Sequence, residues 1–301
     1  MRVSRPGELR FIDPGVIARL GTLELRARTI VEGFLSGLHR SPLKGFSVEF
    51  AEYRQYFPGD ELSSIDWKVY AKTDRYFVKK FEEETNLSAY LLLDVSGSMG
   101  FRSGALSKLD YGSCLAASLA YLMRRQRDAV GLVTFDDRLR AMLPPALRPG
   151  HFSQLLHVLD AQQPGARTET APPLHQLAEA MSKRGLVILI SDLLDEPAGV
   201  IDGLKHLRFR GSDVLVFQVL DEAELTFPFE RSSRFKDLED GEEVLTTPTR
   251  VRDAYLQALN GLVDRYREEL GAHGIDYQLV NTSQPLDEAL LTYLATRSRR
   301  Q

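Results

Sequence analysis

Two apolar runs that each end on a carboxylate limit what this chain can fold into more than any other feature. The first is Tyr90-Leu91-Leu92-Leu93, followed by Asp94. The second is Leu186-Val187-Ile188-Leu189-Ile190, followed by Ser191-Asp192. A short run without polar alternation fits a strand covered on both faces, as in parallel sheets sandwiched between helices. A carboxylate at the exit of such a strand stands at the carboxyl edge of the sheet, where open α/β folds hold their ligands.

The rest of the sequence supplies the helices that such a sheet needs. Asp13-Pro14 opens an amphipathic pattern through Ile17, Leu20, Leu23, Leu25, Ile30, Val31 and Phe34, with Gly33 and Gly37 at its fraying end. Residues 108–125, 152–159, 174–181, 200–207, 254–270 and 286–294 read as helices. Residues 129–135, 214–220 and 275–280 read as strands, and 138–143 as a short partner strand after Asp136-Asp137. Tyr76 to Glu83 reads as a near-edge strand blunted by Lys79 and Lys80, and Ile65 to Lys68 as a helical turn. Asp240-Gly241, between Phe235–Leu238 and Val244–Thr246, is a hairpin signal. Strands alternating with helices predict a doubly wound, mostly parallel α/β sheet. We expect residues 1–86 to form an N-terminal helix and an aromatic, charged extension packing on that sheet. Residues 87–301 would form the main domain, with a hairpin insertion at 226–249.

Asp94, Ser96 and Ser98 place an oxygen at every second position where the first strand leaves the sheet. Between the two apolar strands lies Gly165-Ala166-Arg167-Thr168-Glu169-Thr170, a hydroxyl-bearing loop before a helix. If the two strands are neighbours, Asp94, Ser96, Ser98, Thr168 and Asp192 gather around one point, with Thr170 as the alternative threonine. An all-oxygen donor set suits Mg²⁺, or Mn²⁺, better than zinc. In the plainer reading, Asp94 and the serines only cap the following turn; the matched end at Asp192 and the Thr168 loop favour the ion. Such an ion, held by at most two carboxylates, stays electron-poor and attracts an acidic side chain from another protein.

Catalytic readings of the same residues fit less well. A phosphatase nucleophile at Asp94 needs an acid two residues on, where Ser96 stands. An EF-hand starting at Asp94 needs glycine and glutamate where Met99 and Ala105 stand. Neither Ser96 nor Ser98 has the two glycines of a nucleophile elbow, and no phosphate-binding loop or dinucleotide fingerprint occurs. The histidines, His151, His157 and His175 among them, show no metal-ligand spacing. We expect a non-enzymatic protein; the alternative is a Mg²⁺-dependent hydrolase of phosphate esters.

In order and spacing, Asp94-x-Ser96-x-Ser98, Thr168 and Asp192 resemble the metal-ion-dependent adhesion site (MIDAS) of von Willebrand factor type A domains. The segment Tyr53-Arg54-Gln55-Tyr56-Phe57-Pro58-Gly59-Asp60, then Ile65-Asp66-Trp67 and Phe81-Glu82-Glu83-Glu84, is similar to the domain-of-unknown-function family numbered fifty-eight. That family is a prokaryotic branch of the type A fold, and the likeness covers roughly residues 25–220. The resemblance implies a doubly wound sheet with the ion at its top edge. It also implies partnership with a MoxR-type AAA+ ATPase, in complex assembly or chaperone-like activation. Where many type A domains carry glycine after the second acid, Leu193 stands.

Bulk properties agree with a protein-binding role. The formal net charge of -4 argues against capture of nucleic acid. Arg54, Lys68, Lys72, Arg75, Lys79 and Lys80 do interleave with tyrosines, but Glu82-Glu83-Glu84 follows them. Cys114 is the single cysteine, which excludes an internal disulfide. No apolar run approaches the ~20 residues of a membrane span, and the N-terminus shows no signal-peptide core, so a cytoplasmic location is expected.

Overall fold

The computed structural model describes residues 12–40, 53–55, 76–79, 87–165, 169–181, 184–231, 233–238 and 241–298. At its centre six strands run in the order β10-β7-β6-β3-β4-β5. They are β3 (Ser88–Asp94), β4 (Ala129–Phe135), β5 (Leu139–Ala146), β6 (Leu186–Ser191), β7 (Asp213–Leu220) and β10 (Asp276–Asn281). All neighbours are parallel except β5, which runs antiparallel to β4 at one edge. The two apolar runs are indeed adjacent: Leu93 lies opposite Ile190, and Leu91 opposite Ile188. This register brings Asp94 and Asp192 to the same edge. The fold is the doubly wound α/β arrangement that the sequence implies.

Helices cover both faces, which is why β6 is buried along its whole length. One face packs against α1 (Pro14–Ala18), α2 (Leu23–Arg40), α3 (Lys108–Arg125), α4 (His151–Asp160) and α9 (Asp287–Ser298). Alternate strand residues Leu91, Leu93, Ile188, Ile190 and Phe217 point into this layer. The other face packs against α5 (Ala171–Ala180), α6 (Pro197–Phe209) and α8 (Pro248–Ala272), using Leu92, Val133, Val187, Leu189 and Val216. Each fully buried leucine or isoleucine contributes about 1.5–3 kcal/mol by leaving water. Cys114 is free and fully buried in the first layer.

Three elements differ from what the sequence pattern predicts. The amphipathic stretch from Pro14 is two helices, since the chain turns between Ala18 and Leu23. Thr22 Oγ1 accepts from the Leu25 amide to start α2, and Arg26 holds the corner by donating to the carbonyls of Leu20 and Ala18. Gly33 and Gly37 do not fray α2, which runs on to Arg40. The strand after Asp136-Asp137 continues to Ala146, through Pro144 and Pro145, because it is an edge strand whose pairing with β4 is irregular there and gives neither proline a register partner. A short helix not legible in the sequence, α7 (Glu222–Thr226), follows β7 with Asp221 as its cap.

A small antiparallel pair, β1 (Tyr53–Gln55) with β2 (Phe77–Lys79), stands apart from the main sheet. The helical turn expected at Ile65–Lys68, and the continuation of β2 to Glu83, lie outside the described residues. The predicted hairpin forms as β8 (Ser233–Lys236) and β9 (Glu243–Thr246). Among the described residues no helix is long and apolar enough to cross a membrane.

The β4–β5 contact depends on Gly131. A Cβ at this position would lie 2.6 Å from the Leu143 carbonyl oxygen and 2.8 Å from the Pro145 nitrogen, both backbone atoms. Gly131→Ala should therefore lower the unfolding free energy by about 1–3 kcal/mol, as overpacking does. Urea denaturation of the variant against the parent checks this.

Candidate metal centre

The centre is built where β3 leaves the sheet. Asp94 is fully buried at the last position of the strand, and Ser96 is fully buried just beyond it. The Asp94 carboxylate folds the chain back on itself, its Oδ1 accepting from the Ser96 amide at 2.9 Å. That turn sets the Ser96 and Ser98 hydroxyls side by side, 3.1 Å apart, with Ser98 opening a single 3₁₀ turn to Gly100. Asp94 Oδ2 accepts from Ser191 Oγ at 2.6 Å, a bond across the β3–β6 boundary.

Asp192 follows directly after β6 and is also fully buried. Its Oδ2 accepts from Lys108 Nζ at 2.8 Å. Lys108 is the first residue of α3, has no exposed surface, and donates also to Glu224 Oε1 on α7 at 2.6 Å. Burial opposes the charge on this ammonium, but Asp192 and Glu224 outweigh it and raise its pKa. The Glu224 pKa is raised by burial, with Lys108 offsetting part of the effect. The Asp192 main chain is held as well, its carbonyl accepting from Gln218 Nε2 on β7 at 2.8 Å.

Removal of its contact with water, and then the charge of Asp192, push the Asp94 pKa up to about 7; the Ser191 and Ser96 donors pull the other way. Two carboxylates in one dry site repel each other, and a cation or a proton relieves the repulsion.

The loop expected to supply the threonine approaches the same point. The Gly165 amide donates to the Val95 carbonyl at 2.6 Å, between Asp94 and Ser96. A Cβ on Gly165 would lie 2.6 Å from Asp136 Oδ2 and 3.0 Å from the Val95 carbonyl oxygen, so any larger residue would displace the Asp136 side chain. Thr168 lies outside the described residues. Thr170, at the cap position of α5, is buried; its Oγ1 has no hydrogen-bond partner, and its amide donates to Asp195 Oδ2. The structure thus brings together Asp94, Ser96, Ser98 and Asp192 from the sequence-derived set.

Sequence reasoning missed the supporting groups. Ser191 was visible only as part of a strand end. Lys108 gave one faint signal, since a lysine in the first turn of a helix opposes the helix dipole. Glu224 gave none, because α7 is five residues long. Two further acids end neighbouring strands. Asp136 after β4 pairs with Arg140, which overcomes the effect of burial and holds its carboxyl below the usual range. Asp221 after β7 accepts from the Ser103 and Ala223 amides and from Thr282 Oγ1.

A model of the family described as "Protein of unknown function DUF58" matches residues 52–261. The chain belongs to the DUF58 family. It is 28% identical over 234 residues to "Uncharacterized protein Rv1480" of Mycobacterium tuberculosis (strain ATCC 25618 / H37Rv), covering 76% of this chain and 73% of that one. The figures are the same for "Uncharacterized protein Mb1516" of Mycobacterium bovis. Among solved structures, the conserved hypothetical protein BatB from Bacteroides thetaiotaomicron superposes with a TM-score of 0.50 at 17% identity, over 71% of this chain and 98% of that one. At that identity the likeness is one of fold.

The residues of this DUF58 protein fit a hard divalent cation in their chemistry: two buried carboxylates, two adjacent hydroxyls, and a buried threonine hydroxyl without a partner on the neighbouring loop. No group of three or more His, Cys, Asp or Glu suited to a metal occurs among the described residues. An ion here would therefore depend on neutral oxygens as much as on charge. Because the Asp94 pKa is raised in the fold, its stabilising contribution is complete below the unfolded value of about 4 and is lost as pH rises through about 7. In chelator-treated protein, stability should fall from pH 5 to pH 8 by more in the parent than in Asp94→Asn. Urea midpoints at the two pH values check it.

Proposed function

We propose that this DUF58 protein is a non-enzymatic, divalent-metal-dependent protein-interaction module of the cytoplasm. It would serve as an adaptor for a MoxR-type AAA+ ATPase in complex assembly or chaperone-like activation. The observation that carries the reading is the buried pair Asp94 and Asp192 at the ends of adjacent parallel strands, with the Ser96 and Ser98 hydroxyls beside Asp94. Asp94 and Asp192 provide the charge for Mg²⁺ or Mn²⁺; Ser96, Ser98 and a threonine of the 168–170 segment provide neutral oxygens. The ion, when bound, offers an acidic side chain of the partner an electron-poor position. The choice of a MoxR-type partner follows from the family resemblance, and the requirement for an acidic partner residue follows from the charge of the site.

The reading has a direct test. The tagged full-length chain, in Mg²⁺, should retain the MoxR-type ATPase of its own cell. Chelator, or Asp94→Ala, should reduce that retention at least about tenfold, the equivalent of ~1.4 kcal/mol. Equal recovery with and without the ion removes the metal from recognition. Mg²⁺-dependent turnover of a phosphate ester that disappears in Asp94→Ala would replace the adaptor reading with a hydrolase.

A further inference from the structure

The ion-site reading leaves the burial of the Lys108 ammonium at this edge unexplained. It has no exposed surface, and its ammonium rests on Asp192 Oδ2 at 2.8 Å and Glu224 Oε1 at 2.6 Å, with the Phe101 ring centroid 5.9 Å away. Its position is not explained by the helix it begins. Ser107 and Asp110 already cap α3 by a reciprocal pair of bonds, and a cation in the first turn opposes the helix dipole. Glu224 is itself fixed, because its Oε2 accepts from the Asp221 amide at 2.8 Å. The ammonium therefore has two seats, one on a proposed metal ligand and one on a carboxylate outside the ligand set.

We infer that Lys108 is a tethered cation that competes with the divalent ion for Asp192 and so sets the affinity of the site. This inference deepens the proposed function and rests on its assignment of Asp192 as a ligand. A lysine ammonium is a compact point charge with three donors. While it holds Asp192 Oδ2, that oxygen and the charge behind it are already committed. A divalent cation that takes Asp192 leaves the ammonium to Glu224, which cannot swing away, so Lys108 keeps a partner in both states. The exchange also couples the ion to α7 and to the chain after it, where Phe227 packs against Phe229, Phe235 and Tyr255.

The decisive variant is Lys108→Met with Glu224→Gln. It removes one positive and one negative charge, so the net charge around Asp192 is unchanged while the competitor is gone. Calorimetric titration of the chelator-stripped full-length chain with Mn²⁺, repeated with Mg²⁺, should show at least about tenfold tighter binding than the parent. Lys108→Met alone should bind more tightly still, because Glu224 then adds its charge. If that single variant unfolds, Mn²⁺ should restore its circular dichroism by supplying the missing charge.

The outcomes separate this proposal from the reading beneath it. Tight binding by the double variant with none by the parent upholds the lysine's role and removes the ion from the native protein's function. Measurable binding by the parent with no gain in the double variant overturns the lysine's role alone. Absence of binding in both overturns the two together, whereas an unfolded Lys108→Met that Mn²⁺ fails to restore overturns the lysine's role alone.

Discussion

Two like charges buried side by side are the constraint around which the carboxyl edge is arranged. Asp94 and Asp192 stand where adjacent parallel strands leave the sheet, one residue apart in register, and neither has contact with solvent. A buried carboxylate is tolerable only when it is paired, hydrogen-bonded or protonated. The chain treats the two acids differently. Asp94 receives neutral donors, the Ser96 amide and the Ser191 hydroxyl. Asp192 receives a full positive charge from Lys108. One acid is left with its repulsion partly unrelieved, and the other is held by a cation carried on a helix from the opposite side of the chain.

The rest of that edge follows the same rule. Asp136 is answered by Arg140, and Asp221 by the Ala223 amide at the start of α7, the Ser103 amide and the Thr282 hydroxyl. Four consecutive strands in the sheet, β4, β3, β6 and β7, thus end on or next to an acid, each with its own compensation. The β7 end and the β6 end are joined through Glu224 and Lys108, so the edge is a connected polar network and its members are not independent.

Much of the fold was legible because its central strands are apolar on both faces and cannot be mistaken for surface segments. Tyr90–Asp94 and Leu186–Asp192 fix the sheet and, through it, the meeting of the two acids. The hairpin was legible from Asp240-Gly241 for the same kind of local reason. Lys108 and Glu224 were not, because an ion pair between residues more than a hundred positions apart leaves no periodicity. Leu193 illustrates a different limit. It is fully buried in the second core layer, and its φ of 54° lies in the left-handed region. The sequence shows a leucine where many type A domains carry glycine, but only the structure shows why glycine suits the place. A left-handed leucine there costs about 1–2 kcal/mol, and its burial offsets the strain.

The prolines of β5 bear on how this protein meets other chains. Parallel sheets are closed on their faces by helices, so a newcomer that binds through main-chain pairing must add at an edge. On the β5 edge, Pro144 and Pro145 carry no amide protons, so the row of main-chain donors along the strand is interrupted, and the register shifts against β4 break its even spacing. That flank is insulated against self-templating, and fibre-like growth from it is disfavoured. On that flank, recognition is left to side chains and to whatever they hold.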